Sequence, residues 1–324
     1  MLYLSYSDGF NLGQEVKKLS RLKKLNTLGL AGIDIDSLPK EIFTLKTLRR
    51  IQVGEHENFN YSHGFTLLSD MTELERLDII FSNLKPLPKS FQKLKQLKKL
   101  GMYHCQVDLN LLFSIISKWE KLEFLELGEM NIKKLPKELT QLTALKEINL
   151  NDNPNLDHQA LFKQLSEIPG LEELVISKTI LHHQHDRFVM PEELGELKNL
   201  KRLDMATSQN LVFDSLFDVL LKLPKLEYLN LYRCTSDGYI VQFPDVLDKM
   251  INLKELKITY LGPHPFDKVN GLPPNIEKLT YENASFGENT PIQKVIFSAT
   301  SLKSLNLNSC ELKELPEEIG NLKN

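Results

Sequence analysis

The sequence predicts an α/β solenoid, with short parallel strands stacked on one side and the chain returning through short helices on the other. Three observations carry this. The pattern Leu-x-x-Leu-x-Leu, with Ile, Val, Met or Tyr allowed at the apolar places, recurs twelve times, beginning at Leu25, Leu48, Leu74, Leu97, Leu122, Leu145, Leu171, Leu200, Leu226, Leu253, Ile276 and Leu302. The steps between them are 23, 26, 23, 25, 23, 26, 29, 26, 27, 23 and 26 residues. Several of the intervening segments carry an apolar-Pro pair followed at a fixed distance by a bulky apolar residue. A near-constant period of this size means units that bury their apolar faces only against one another.

The strand comes first. Within each motif, apolar places alternate with polar ones, which is the period of a strand with one buried face. A strand so short is unstable alone, and pairing with the equivalent strand of the next repeat satisfies its backbone. Counting the first Leu of a motif as place one, places three, five and seven point away from the leucine core and place eight lies at the rim. Leu2 and Leu4 align with Leu28 and Leu30, so the chain is expected to start inside a strand.

The return segment comes next. Leu38-Pro39 leads to Ile42, Leu87-Pro88 to Phe91, Leu135-Pro136 to Leu139 and Leu315-Pro316 to Ile319, and Met190-Pro191 and Phe243-Pro244 repeat the device. Proline suits the first turn of a short helix, where no N–H is needed. The repeats between carry longer helical stretches, such as Leu111 to Trp119 and Asp214 to Leu223. A doublet of short and long returns is the reading this suggests.

Leu-x-x-Leu-x-Leu followed by Leu-Pro-x-x-Ile resembles the intracellular leucine-rich repeats of the Ras-group and plant disease-resistance type, over nearly the whole chain. The resemblance implies a horseshoe of about twelve to thirteen repeats, with a parallel concave sheet and short helices or irregular arcs on the convex side. It also implies a role in binding a partner protein. Residues 1–324 are expected to form a single repeat domain, cut at both ends, since Asn321-Leu322-Lys323-Asn324 stops short of the next motif.

Place nine explains the cysteines. Cys105, Cys234 and Cys310 all stand there, and other repeats put His56, Ser82, Asn153, Thr179 and Ser208 in the same place. The resemblance makes this the position of a buried Asn, Cys, Ser or Thr that bonds backbone at the bend, where a strand entering a turn leaves backbone groups unpaired. Whole repeats separate the three thiols, so they cannot pair with each other.

Composition narrows the function. Lys plus Arg is 40 against 43 for Asp plus Glu, a net charge of -3, which gives no electrostatic reason to expect nucleic acid. No run of 18 apolar residues points to membrane insertion. The first residues carry no secretory signal and three cysteines are few for a disulfide framework, so a cytoplasmic location is expected. Dinucleotide, P-loop, nucleophile-elbow and His-Glu-x-x-His motifs are absent, so neither an enzyme nor a cofactor site is expected.

Two clusters carry metal-ligand residue types. His182, His183, His185 and Asp186 fall in the repeat with the 29-residue step, and read as a looped-out insertion rather than a zinc site. Asn151, Asp152, Asn153 and Asn155 lack the glycine and terminal glutamate of a calcium loop and read as turn chemistry. Leu125 to Glu129, and the glycosylation-like triplets at Asn60 and Asn283, carry nothing further.

The concave face is the candidate site. Ile80, Phe81, Tyr103, His104 and Phe124 form one cluster there, and Tyr228, Tyr232, Arg233 and Tyr260 a second. Solvent-facing aromatics with Arg resemble the anchors of protein interfaces. Arg50, Arg76 and Lys99 stack at place three of consecutive repeats, a like-charge ladder that disfavours itself unless something acidic covers it. The expectation is a non-catalytic module binding a partner protein on this face. The alternative is a targeting segment of a larger enzyme whose catalytic domain lies outside this chain.

Overall fold

The computed structural model describes residues 1–4, 11–56, 58–181, 187–234, 242–259, 265–282, 294–310, 312 and 314–323. Tyr260, the cluster at 182–186 and the triplet at 283–285 lie outside them. The chain divides into two compact units, one of residues 1–130 and 135–149, the other of 131–134 and 150–324.

The first unit carries β1 (Leu2–Tyr3), β2 (Thr27–Gly29), β3 (Arg50–Gly54), β4 (Arg76–Ile80), β5 (Lys99–Tyr103), β6 (Phe124–Gly128) and β7 (Glu147–Asn149). Each pairs in parallel with its predecessor, and equivalent places meet: Leu2 faces Leu28, Leu77 faces Leu100, Leu100 faces Leu125. The second unit repeats this with β8 (Glu173–Val175), β9 (Arg202–Asp204), β10 (Tyr228–Leu231), β11 (Glu255–Thr259), β12 (Lys278–Glu282) and β13 (Ser304–Asn306). Leu174, Leu203, Leu229, Leu256, Leu279 and Leu305 form its central register. The sheet is the one the period predicted, because the place-four and place-six residues are almost all buried and only a one-to-one register keeps them so.

The returns alternate as the doublet suggests, up to α5. In the first unit α1 (Leu12–Leu19), α2 (Tyr61–Asp70) and α3 (Leu109–Ile116) alternate with 3₁₀ turns at Lys40–Thr44, Lys89–Lys93 and Lys137–Gln141. The second unit has α4 (His158–Ser166), a 3₁₀ turn at Glu192–Glu196 and α5 (Phe213–Leu220), and then 3₁₀ turns at Leu247–Lys249, Lys294–Ser298 and Glu317–Asn321. Four α-helices are capped alike: Asn11, Asn60, Asp108 and Asp157 accept from the N–H three residues on.

The proline device differs in one respect from the expectation. Pro39, Pro88, Pro136, Pro191 and Pro316 sit at the cap with extended ψ, one place before the first turn, and the turn itself is 3₁₀ rather than α. Each cap carbonyl accepts from the bulky apolar residue three on, as in Ile42 N to Pro39 O at 3.0 Å. A five-residue return leaves room for one tight turn, and i→i+3 bonding is the geometry that closes in that length.

Aromatic side chains fill the interior between strand and return. In the first unit Phe59, Tyr61, Phe65, Phe91 and Trp119 succeed one another with ring centroids 4.9 to 5.6 Å apart. In the second, Phe213, Phe243, Phe266 and Tyr281 do the same at 5.3 to 5.7 Å. Such pairs add to the burial energy of the rings themselves.

Candidate functional site

Where the strand leaves the sheet, place nine behaves as expected at the cysteines, Asn153, Thr179 and Ser208, but not at His56, whose ring nitrogens make no hydrogen bond among the described residues. Cys105 Sγ donates to Ile79 O at 3.3 Å, Cys234 Sγ to Met205 O at 3.1 Å and Cys310 Sγ to Tyr281 O at 3.1 Å. Asn153 donates to Leu150 O at 2.8 Å and accepts from Ile132 N at 2.9 Å, while Thr179 and Ser208 bond Ile176 O and Met205 O. Burial pushes the Cys105 thiol up to about 11 and that of Cys234 up to about 12. A nucleophilic cysteine needs the opposite shift.

Place eight, one residue earlier, has a property that the sequence pattern did not reveal. Gly32, Glu55, Phe81, His104, Glu129, Asp152, Lys178, Thr207, Arg233 and Ser309 all have φ between 46° and 68°. The left-handed bend is where Gly, Asn and Asp fit at least cost, and a bulky side chain there is strained. Phe81, His104 and Arg233 occupy it nonetheless. The signal available in sequence was a small polar residue or glycine at place eight in some repeats and a bulky one in others.

The bend throws these side chains onto the rim of the sheet's open face. Phe81 is 44% exposed. Its ring centroid lies 4.9 Å from His104 and 5.8 Å from Tyr103. His104 Nδ1 lies 3.4 Å from a Glu129 carboxylate oxygen. Ile80 and Tyr103, at place seven, are half-buried beside them. The structure therefore brings Ile80, Phe81, Tyr103 and His104 together as one patch over the ends of β4 and β5.

Phe124 does not belong to it as an exposed anchor. Only 6% of it is accessible. The Arg76 guanidinium lies 4.6 Å above its ring and the Lys99 ammonium 5.6 Å away. Tyr228 in the second unit is covered in the same way and is 7% exposed, with the Arg202 guanidinium at 3.8 Å and the Lys257 ammonium at 5.3 Å. Both rings point outward, as their place dictates, but long cations from neighbouring strands lie across them. Tyr232 stays half-buried with the Arg233 guanidinium 5.5 Å over it.

Part of the acidic cover for the basic ladder comes from within the chain. Arg50 Nε donates to Asp78 at 2.6 Å, and Arg76 Nε donates to the same carboxylate at 2.8 Å. Arg76 also reaches Glu126 at 3.5 Å. Asp78, at place five of β4, is a buried carboxylate on the open face that place-by-place reading treats as solvated. Burial pushes the Glu126 carboxyl up, Arg76 opposes the shift and Asp78 adds to it. Gly101 stands between these acids. A Cβ there would lie 2.5 Å from Asp78 Oδ1 and 3.3 Å from Glu126 Oε2, so the two carboxylates converge only because that position has no side chain. Above them is a recess of about 280 Å³ walled by Arg50, Arg76, Ile80, Tyr103 and the two acids.

Among the described residues there is no cluster of three or more His, Cys, Asp or Glu placed to hold a metal ion, and no helix is long and apolar enough to cross a membrane.

No protein-family model and no curated protein matches the chain. Solved structures do. A leucine-rich-repeat protein of Leptospira interrogans is 23% identical with a TM-score of 0.55, over 98% of this chain and 92% of that one. TLR13 in complex with a single-stranded RNA is 18% identical with a TM-score of 0.55, over 99% of this chain and 59% of that one. Together with thirteen parallel strands, one per repeat, these likenesses show that the chain folds as a leucine-rich-repeat solenoid.

Proposed function

We propose that the chain is a non-catalytic protein-interaction module whose partner docks on the open face of β3 to β6. The observation that carries this reading is Phe81. A phenylalanine 44% exposed at φ 46° is unfavourable twice over, in backbone and in hydration. The bend itself is common to place eight, so the particular feature is a bulky ring held there and left open to solvent. With Tyr103, His104 and Ile80 it forms an aromatic and apolar patch rimmed by charge, the composition of an interface centre. The three buried thiols, none in a disulfide, suit a reducing compartment and support a cytoplasmic role.

The test is capture of partners from source lysate by the wild-type protein beside a Phe81→Ala, Tyr103→Ala variant, with the retained proteins identified and their affinities measured. The reading expects a partner held by the wild type and lost by the variant at equal thermal stability. A partner set unchanged by the double substitution places the contact elsewhere and overturns it.

A further inference from the structure

The basic ladder breaks a pattern that the rest of the face keeps. At place two, Glu75, Lys98, Glu123 and Lys146 alternate in sign on successive strands, with Lys98 to Glu75 at 2.9 Å and Lys146 to Glu123 at 3.3 Å. The second unit does the same at 2.9 to 3.0 Å through Lys201–Glu172, Lys254–Glu227 and Lys303–Glu277. At place three of the second unit the cations are also matched, Arg202 to Glu173 at 3.4 Å and Lys278 to Glu255 at 3.8 Å. Place three of the first unit instead puts Arg50 beside Arg76 and Arg76 beside Lys99 in direct register. Like charges directly opposite on neighbouring strands destabilise the sheet.

The internal acids do not finish the compensation. Asp78 is shared by Arg50 and Arg76, and Glu126 stands 3.5 Å from Arg76 in a setting whose burial favours its neutral form. Arg50 uses only its Nε, so its two terminal nitrogens have no partner among the described residues. The exposed Lys99 ammonium lies over Phe124 and makes no ion pair among the described residues. Two cationic ends are thus left over on β3 and β5, on the order of 10 Å apart at the usual strand spacing. Arg76 between them is already engaged.

We propose that the segment docking here is acidic: it sets carboxylates against Arg50 and Lys99, astride Arg76, and lays an apolar side chain on Phe81. This rests on the open face being the docking surface, and names the chemistry that it selects. A protein segment fits better than a nucleic acid, because Asp78, on the strand between the two underpaired cations, repels a continuous phosphate backbone, whereas a peptide can space its acids to either side. The recess over Gly101 leaves room for the chain that bridges them.

A library of random short peptides displayed on phage, selected against the full chain, tests this. The selected peptides are expected to be enriched in Asp and Glu, to bind more weakly as salt rises, and to lose about tenfold in affinity for Lys99→Glu. That variant leaves both Asp78 ion pairs in place, so it is expected to fold; Arg50→Gln, checked by its unfolding midpoint, is the second arm. Selected peptides that are neutral or basic, or that ignore both substitutions, overturn the proposal, as does failure to select any binder. If such peptides are lost on Phe81→Ala, Tyr103→Ala but not on Lys99→Glu, the docking face stands and the acidic preference falls; insensitivity to all four substitutions removes both. A single-stranded RNA that binds with Lys99 dependence where acidic peptides do not overturns the proposal in favour of nucleic acid.

Discussion

The guanidinium of Arg76 lies 4.6 Å above the ring of Phe124, two strands away along the same row. That contact separates two aromatics that the sequence places in one cluster. Phe124 becomes part of the structure, whereas Phe81 stays open to solvent. Truncating Phe124 to Ala is expected to cost about 3 to 5 kcal/mol, from lost burial and a lost cation–π contact. Urea unfolding of both alanine variants checks it: a Phe81→Ala loss as large as that of Phe124→Ala contradicts the assignment.

Phe81 itself offers a sharper experiment. Asn adopts the left-handed conformation more readily than a bulky residue does. Phe81→Asn is therefore expected to stabilise the protein by about 0.5 to 1 kcal/mol while weakening partner capture. Equal stability with unchanged capture would deny Phe81 any special role.

Asp78 is the acid that makes the ladder tolerable. Asp78→Asn removes the shared counter-charge and leaves Arg50 and Arg76 facing each other. A loss of about 3 kcal/mol is expected, recovered in part at high salt as the repulsion is screened. Unfolding midpoints at low and high ionic strength give the answer, and a loss with no salt dependence would mean that packing, not charge, is what Asp78 provides.

Glu126 carries a pH signature. Its native carboxyl titrates above its unfolded value, mainly because of burial. The native state therefore holds the proton to higher pH, and the contribution to stability present below the unfolded pKa is lost as pH rises through the folded pKa. Glu126→Gln removes that loss and can still accept the 3.3 Å hydrogen bond from Asn149 Nδ2. The variant is expected to gain on the wild type at neutral pH, with the gap closing as pH falls below the ordinary carboxylate range. A gap that widens on acidification reverses the sign and rules out burial as the dominant cause.

The place-nine thiols should be silent in the folded protein. Each donates to a backbone carbonyl inside the bend and none is exposed. A disulfide exchange reagent at mildly alkaline pH is expected to titrate them only after denaturant is added. One thiol reacting in the native state at the rate of free cysteine would show a bend that opens.

Much of the fold was legible in the amino-acid sequence. The repeat period, the strand at each motif, the register of Leu77 with Leu100 and Leu125, and the bonding role of Cys105, Cys234, Cys310 and Asn153 are all properties of one repeat, copied. A local pattern repeated at near-constant spacing determines them, because each unit meets the same neighbour in the same way. What the tertiary structure alone decided is what lies across a residue from strands one or two repeats away, each repeat being 23 to 29 positions in sequence. It covers Phe124 with Arg76 and Tyr228 with Arg202, and seats Asp78 between two arginines over the bare Gly101. The place of a residue in the repeat sets the direction of its side chain, whereas its exposure depends on how far the side chains of neighbouring strands reach, and those neighbours differ from repeat to repeat.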